Sequence, residues 1–163
     1  SRTGGELASR PKRNAAAALT RSIADSLLKT DPKAKIFIMG DLNDNPADES
    51  CAAILDAKEN ASDVKAGGLY NTLWKASNTG VGSLSYNNQW DLFDQHIISY
   101  ELVNGDRSKL QFWKSEIFNR AFLTQQEGKY KGTPWRTHSG KTWKNGYSDH
   151  YPTLLYLTRQ TKQ

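Results

Sequence analysis

The 163-residue chain is long enough to form one domain with its own hydrophobic core. It carries a net charge of +5 and has a sequence pI near 9.3. Its single cysteine, Cys51, excludes an intramolecular disulfide and a cysteine-based zinc site. No apolar run approaches the ~18 residues that a transmembrane helix needs, so we predict no transmembrane segment, and no signal peptide is visible.

The charge is distributed unevenly along the chain. Residues 1–40 carry eight basic and three acidic side chains, residues 41–110 carry five and eleven, and residues 111–163 carry nine and three. An acidic middle between basic ends fits a metal–carboxylate centre flanked by a cationic surface that attracts anionic substrates. Ordinary solvated surface is the alternative, and composition leaves both open.

The first part of the chain predicts two helices and a strand. Residues 11–29 place small and apolar side chains at helical spacing, with a proline in the first turn and an Asp-Pro pair as the stop signal. The apolar run at residues 36–39 predicts a buried strand. Residues 46–58 predict a second helix, in which Cys51 is a small buried residue.

The second part favours strands and loops. Residues 67–82 read as a loop with a short helical piece, and residues 90–99 as a strand. Apolar and polar residues alternate over residues 110–118, which predicts another strand. The final strand is predicted at residues 153–157.

Two polar side chains follow the strand at residues 36–39. Gly40 ends that strand, and Asp41 and Asn43 come next, two residues apart, so an extended backbone directs both to the same side. A carboxylate can hold a hard cation or take a proton from water, whereas an amide can bind a phosphate oxygen without adding negative charge. We therefore interpret this stretch as a candidate site.

A second pair of candidates combines a carboxylate with an imidazole. Asp94 lies next to an apolar strand end, where an unpaired carboxylate is costly, and His150 is a natural partner. Pairing would fix the tautomer of His150 and favour its protonated form. The alternative for Asp94 is a surface aspartate on an edge strand. His96 is read as structural or solvent-exposed.

The segment 129–145 combines basic and aromatic residues. Five lysine or arginine side chains alternate there with Tyr130, Trp135 and Trp143, and Arg136 is the best single candidate for substrate contact. This spacing suits a phosphate-bearing or stacked ligand. It equally suits an exposed loop with snorkelling lysines.

Three motifs together resemble a known superfamily. These are Gly40-Asp41-Leu42-Asn43, the strand from Asp94 to Ser99, and Ser148-Asp149-His150-Tyr151-Pro152 followed by the last strand. In this order they resemble the endonuclease/exonuclease/phosphatase, or DNase I-like, superfamily. The resemblance implies an α/β (α+β) fold, half of a four-layer sandwich with mostly antiparallel sheet and flanking helices.

The resemblance also assigns roles to the residues that match the motifs. It implies that Asp41 orients or deprotonates the attacking water, that Asn43 binds a phosphate oxygen, and that Asp41 and Asp149 contribute to a metal site. The implied cofactor is Mg²⁺, or alternatively Mn²⁺ or Ca²⁺. His150, held by Asp94, would hydrogen-bond the phosphate.

Arg2 and Arg136 are the candidates for further substrate contacts. Arg2 belongs to the opening loop, which looks like the sequence that follows a histidine motif in the superfamily. The superfamily's first-strand Asn, its metal-binding Glu and that histidine motif have no match here. We therefore expect residues 1–163 to be the C-terminal portion of the domain, with the N-terminal half absent. We also expect the fragment alone to be inactive, and its apolar sheet face to be covered by the complementary half or by a second copy.

The resulting hypothesis is a divalent-metal-dependent phosphoesterase whose full-length form hydrolyses phosphodiester bonds in a nuclease-like way. A phosphomonoesterase and a sphingomyelinase-like lipid phosphodiesterase are the enzymatic alternatives. A truncated module that only binds anions or nucleic acid is the non-enzymatic one. Localisation stays open between the secreted or cell-envelope space and the cytoplasm.

Overall fold

The computed structural model describes residues 2–161 and contains ten strands and three α-helices in that range. The helices are α1 (Glu6–Thr30), α2 (Trp74–Ser77) and α3 (Tyr100–Asn104). The strands are β1 (Phe37–Asp41), β2 (Ala57–Lys58), β3 (Leu69–Asn71), β4 (Leu84–Tyr86), β5 (Gln89–Asp91), β6 (Asp94–Ser99), β7 (Gln111–Ile117), β8 (His138–Ser139), β9 (Thr142–Trp143) and β10 (Thr153–Thr158).

A four-stranded sheet in the order β1-β6-β3-β2 forms the centre of the fold. Strand β6 pairs antiparallel with both β1 and β3, and only β2 and β3 run parallel. Strands β7 and β10 form an antiparallel ribbon, and β4–β5 and β8–β9 are short hairpins. The prediction of a mixed α+β fold with mostly antiparallel sheet is confirmed.

Strand β6 carries the core on both of its faces. Ile97 and Ile98 are fully buried and point to opposite sides, as successive residues of a strand must. Ile97 packs with Ala17 of α1 and with Leu55, Leu69 and Ala57, whereas Ile98 packs with Val64, Tyr70 and Leu102. Each buried isoleucine contributes about 1.5–3 kcal/mol of hydrophobic free energy, so β6 is rigidly held.

Helix α1 starts five residues earlier than the predicted start at residue 11. Pro11 therefore lies inside the helix, where the lost backbone hydrogen bond is normally costly. The guanidinium of Arg13 donates to Ser9 Oγ and to the carbonyl oxygen of Glu6, which links the turn before the proline to the turn after it. The predicted apolar face of this helix is wrong, because Leu19, Ile23 and Leu27 are exposed. The helix instead buries Ser9, Arg13, Ala17 and Ala24.

The predicted helix over residues 46–58 is wrong. Only a single π-helical turn forms, at Ser50–Ile54, and β2 begins at Ala57. Asp56 between them has a left-handed φ of 53°, which ends helical geometry and turns the chain into parallel pairing with β3. Cys51 is buried in the π-helical turn, as predicted, and burial raises the pKa of its thiol to about 11.

The predicted strand over residues 90–99 is divided into β5 and β6 by Leu92 and Phe93. Asn45 explains the break, because its side-chain oxygen accepts the backbone N–H of Leu92 and its side-chain nitrogen donates to Asp91. A loop from elsewhere in the chain thus takes the hydrogen bonds that a continuous strand would use.

An apolar surface surrounds the free edge of the central sheet. The strand predicted at residues 36–39 forms as β1, but the prediction that it is buried is wrong. Strand β1 is an edge strand, and Phe37 and Met39 on it are exposed, Met39 to 62%. Leu19, Ile23 and Leu27 of α1 are also exposed. Exposed apolar patches of this kind mark interaction surfaces. Within residues 2–161, no helix is long and apolar enough to cross a membrane.

Candidate active site

The predicted pair of Asp94 and His150 is present in the structure. Asp94 is the first residue of β6, and its Oδ2 lies 2.6 Å from Nδ1 of His150, which precedes β10. Ser83 completes the arrangement: its hydroxyl donates to the same Oδ2, and its carbonyl oxygen accepts the N–H of Tyr151. The backbone of His150 also forms a bridge with Leu84. Ser83 therefore holds Asp94, and Leu84, the first residue of β4, holds the backbone of His150.

The electrostatics of the pair favour the charged forms of both side chains. Burial alone would raise the pKa of Asp94, but hydrogen bonds from His150 and Ser83 outweigh it and the net pKa is lowered. The hydrogen bond to Asp94 raises the pKa of His150, against an opposing effect of burial. An imidazole bound through Nδ1 to a carboxylate keeps Nε2 free to donate a proton or a hydrogen bond.

Asp41 lies on the neighbouring strand, directly opposite Asp94. The two residues are partners in the β1–β6 register, at the end of β1 and the start of β6. The negative charges of Asp149 and Asp41 both add to the raised pKa of His150, so these carboxylates lie within electrostatic range of the imidazole. The structure therefore brings together Asp41, Asp94, Asp149 and His150 at one end of the central sheet.

Asn43 lies in the turn that follows β1 and has a left-handed φ of 54°, so the prediction that an extended backbone directs Asp41 and Asn43 to the same side is wrong. It lines a cleft of about 280 Å³ between α1 and the sheet, together with Asp41 and Arg13. Its backbone N–H donates to Oδ1 of Asp41 at 2.8 Å. Its carboxamide makes no hydrogen bond to another residue in the described part of the chain. The amide is thus available to an external ligand beside the Asp41 carboxylate.

Asp149 and Arg136 form an exposed pair at the other side of His150. The nearest nitrogen of Arg136 is 4.0 Å from Oδ2 of Asp149, and both side chains are largely in solvent. Arg136 also donates to the carbonyl oxygen of Ser85 in β4. This places a cation next to the strand that holds Asp94 and His150. Whether Arg136 contacts a substrate stays a prediction.

The guanidinium of Arg2 already contacts groups of the protein, whereas binding of a phosphate would need free donors. Its Nε donates to the carbonyl oxygen of Asn43 at 2.8 Å, and its NH1 donates to Glu6. Its guanidinium also stacks over the ring of Phe93, 4.4 Å from the centroid, and lies near Asp44. Arg2 thus contacts the candidate site through the backbone of Asn43. Its contact with a substrate stays a prediction.

Sequence reasoning missed Ser83 and left the environment of His96 open. Ser83 had no signal, because a serine in a Gly-rich loop is common. His96 was read as structural or solvent-exposed, and the structure decides for burial: it is only 2% exposed. Its Nε2 lies 3.1 Å from the Thr153 hydroxyl at the start of β10, and its Nδ1 lies 3.3 Å from the Ser115 hydroxyl. Burial lowers the pKa of His96, so it is a neutral link between β6 and the β7–β10 ribbon.

The donors present suit a hard divalent cation in type but are few in number. Between Arg2 and Thr161, no group of three or more His, Cys, Asp or Glu side chains is arranged to hold a metal ion. Asp41 and Asp149 offer two carboxylates. Mg²⁺ is commonly bound by one or two carboxylates together with waters and substrate phosphates, so these two residues fit part of such a site.

The fold is a mixed α+β arrangement of antiparallel sheets with few helices, as in α/β sandwich proteins. The chain belongs to the endonuclease/exonuclease/phosphatase family, whose sequence profile matches residues 1–159. Proteins of this family are typically hydrolases that act on phosphoester bonds. Comparisons with curated proteins and with solved structures found no match.

Proposed function

We propose that the protein containing this chain is a divalent-metal-dependent phosphoesterase that hydrolyses phosphodiester bonds in the manner of a nuclease. The observation that carries the proposal is the Asp94–His150 hydrogen bond with Asp41 directly opposite in the strand register. A carboxylate-bound imidazole and a second carboxylate at one sheet end supply an acid and a base for the same reaction.

Each side chain has a defined task in this mechanism. His150, whose protonated form is favoured because the hydrogen bond to Asp94 raises its pKa, donates from Nε2 to a phosphate oxygen and stabilises the charge that develops in the transition state. Asp41 orients the attacking water and takes its proton. The carboxamide of Asn43 donates to a second phosphate oxygen. These contacts would hold the phosphoryl group at the end of the paired strands β1 and β6.

Asp41 and Asp149 would also hold the cation, which is Mg²⁺ or alternatively Mn²⁺ or Ca²⁺. When bound, such an ion neutralises phosphate charge and stabilises the leaving oxygen. The exposed position of Asp149 suits this role, because hard cations retain part of their water shell.

A phosphodiester carries a second esterified group, which must lie on the protein surface beside the phosphate. Tyr147 borders the cleft that contains His150 and Asp94, and its ring is 60% exposed. Arg136 and Asp149 lie at the same side. Aromatic and basic side chains together favour a nucleic acid, whose bases can stack and whose phosphates are anionic. A phosphomonoesterase or a sphingomyelinase-like activity would use the same catalytic residues.

The proposal includes a partner for the apolar surface around β1. Phe37 and Met39 on the sheet, and Leu19, Ile23 and Leu27 on α1, are exposed beside a strand edge with unused hydrogen-bonding groups. We propose that the complementary half of the domain, or a second copy of the chain, covers this surface. Sedimentation of residues 1–163 alone separates the two occupants, since a dimer supports the second copy and a monomer excludes it.

The decisive experiment measures hydrolysis by the protein that contains this chain. Single-stranded and duplex DNA, RNA, a sphingolipid, inositol phosphates and a simple monoester are each assayed with Mg²⁺, Mn²⁺, Ca²⁺ and a chelator. Metal-dependent release of product from a diester supports the proposal. Binding of polyanions without turnover of any ester would instead favour the anion-binding module.

A further inference from the structure

Asn43 has a backbone conformation that needs support. Its φ angle is 54°, in the left-handed region, which non-glycine residues seldom adopt although asparagine tolerates it better than most. A carboxamide that binds a phosphate oxygen has to be held within about 0.5 Å of its productive position. Some contact must therefore keep this turn in one conformation.

Two partly exposed hydrogen bonds hold Asn43 itself. Asp41 accepts its backbone N–H, and Arg2 donates to its carbonyl oxygen. Both partners are themselves surface residues or candidate catalytic groups. Water competes for bonds of this kind, so they do not fix the turn on their own.

The next residue, Asp44, is buried to 98%, and both of its side-chain oxygens and its carbonyl oxygen have partners. Its Oδ2 accepts the hydroxyl of Ser50 at 2.6 Å, and its backbone carbonyl accepts Nε2 of Gln95 at 2.5 Å. Its Oδ1 lies 2.7 Å from Nε of Arg13, whose side chain is only 5% exposed. The Nε–H bond of Arg13 is not aligned with that oxygen, so the contact is an ion pair rather than a hydrogen bond.

Arg13 connects this turn to the start of α1. Its other nitrogens donate to Ser9 and to the carbonyl oxygen of Glu6, so one guanidinium contacts both the first turns of the helix and the buried carboxylate. Buried ion pairs cost desolvation and often add little net stability compared with apolar residues. Stability alone is therefore a weak explanation for this pair, and a requirement for one defined geometry is a better one.

We propose that Arg13, acting through Asp44, is a positioning residue that fixes Asn43 for binding of the phosphate oxygen. This inference rests on the phosphoesterase function proposed above. Arg13 does not touch the substrate. It acts by holding the residue that follows Asn43, so that the left-handed turn after β1 has a single conformation.

The test uses the double variant Arg13→Gln/Asp44→Asn, which removes both charges and leaves no unpaired buried ion. We expect kcat/KM for a diester to fall about 100-fold, because small misplacements of binding groups have effects of that size. Arg13→Lys keeps the charge and should lose less, which also gives a folded variant if neutralisation unfolds the chain. Arg21→Gln is the matched control, since Arg21 is on the same helix and donates to the carbonyl oxygens of Leu55 and Gly67.

A double-mutant cycle separates positioning from a general loss of structure. In an Asn43→Ala background, Arg13→Gln/Asp44→Asn should cause no further loss of kcat/KM, because the residue through which it acts is gone. A full additional 100-fold loss in that background would show that the pair acts elsewhere and would overturn the inference.

A measurement without turnover tests the positioning independently. The ¹⁵N heteronuclear NOE of the Asn43 amide should drop in the Arg13→Gln/Asp44→Asn variant and remain unchanged in the Arg21→Gln control. An unchanged NOE in the double variant refutes the inference even if the enzyme is active. Failure of the wild-type protein to hydrolyse any ester refutes the proposed function, and the NOE still decides whether Arg13 orders Asn43.

Discussion

The two sides of the candidate site are built in different ways. On one side, Asp94 and Asp41 lie at the ends of paired strands, and β6 behind them is buried on both faces. On the other side, the segment from Arg120 to Tyr147 contains only a short helical turn and the hairpin β8–β9, and most of its aromatic rings are exposed.

This difference indicates a division of tasks. Groups that must transfer a proton or bind a phosphoryl oxygen need fixed positions, and paired strands over a packed core supply them. A surface that selects the rest of the substrate can be loop-like and solvent-exposed, because loops tolerate sequence change without loss of the core. Substitutions on the two sides should therefore differ in both the size and the kind of their effects.

The largest expected effect is on the strand side. Changing Asp94, His150 or Asp41 to Ala should lower kcat/KM by about 10³-fold or more, because each removes an acid, a base or a stabilising charge from the transition state. Steady-state kinetics on a diester, with circular dichroism to verify folding, is the measurement. Near-normal turnover by all three variants would remove the basis of the proposed mechanism.

The next effect is on the free energy of unfolding, which should differ between substitutions on the strand side and on the loop side. Ile97→Ala should reduce the free energy of unfolding by about 2–5 kcal/mol, because it leaves a cavity in the fully buried core of β6. Trp143→Ala, in the exposed hairpin β8–β9, should change it by no more than about 0.5 kcal/mol. Urea denaturation of both variants tests this, and equal losses would show that the loop side is not independent of the core.

A smaller effect is expected in the titration of His150. Asp94→Asn should lower the pKa of His150 towards its ordinary value of 6.5, because the variant loses the hydrogen bond and charge that raise it. NMR titration of the imidazole measures this shift. No shift would contradict the pairing.

The same pair should make stability depend on pH. The raised pKa of His150 contributes stability that is present below about 6.5 and is lost as pH rises through the folded value. The lowered pKa of Asp94 contributes stability that is present above about 3.8 and is lost as pH falls through the folded value. The stability difference between wild type and Asp94→Asn should therefore be greatest between these two limits.

The smallest effect is expected on the loop side. Arg136→Ala should raise KM for a polyanionic substrate by several-fold with little change in kcat, because an exposed cation aids binding and is screened by salt. Measuring KM at two ionic strengths checks this, and Lys141→Ala provides a control at an exposed position in the hairpin turn. A large loss of kcat for Arg136→Ala would instead show that Arg136 takes part in catalysis.

Most of the candidate site residues could be predicted from the sequence, but the buried residues that hold them in position could not. Asp41, Asn43, Asp94, Asp149 and His150 were named from motifs, and the structure brings Asp41, Asp94, Asp149 and His150 to one end of the sheet. Asn43 lies in the turn after β1 and lines a separate cleft with Asp41. The buried pair of Arg13 and Asp44 was not foreseen, because Asp44 has the local pattern of a helix cap. Its partner lies in a helix far away in the sequence, and no periodicity indicates which charge will be buried.

The sequence by itself determined which chemical groups this protein offers and the order in which strands carry them, since short motifs and period-2 apolar runs are local properties of the chain. Only the tertiary structure decided that α1 begins at Glu6, that residues 50–54 form one π-helical turn, and that His96 is buried. Each of these outcomes depends on contacts between distant segments, such as Arg13 with Asp44 and His96 with Thr153. Local propensity cannot specify such contacts, because their free energy exists only once the sheet has assembled.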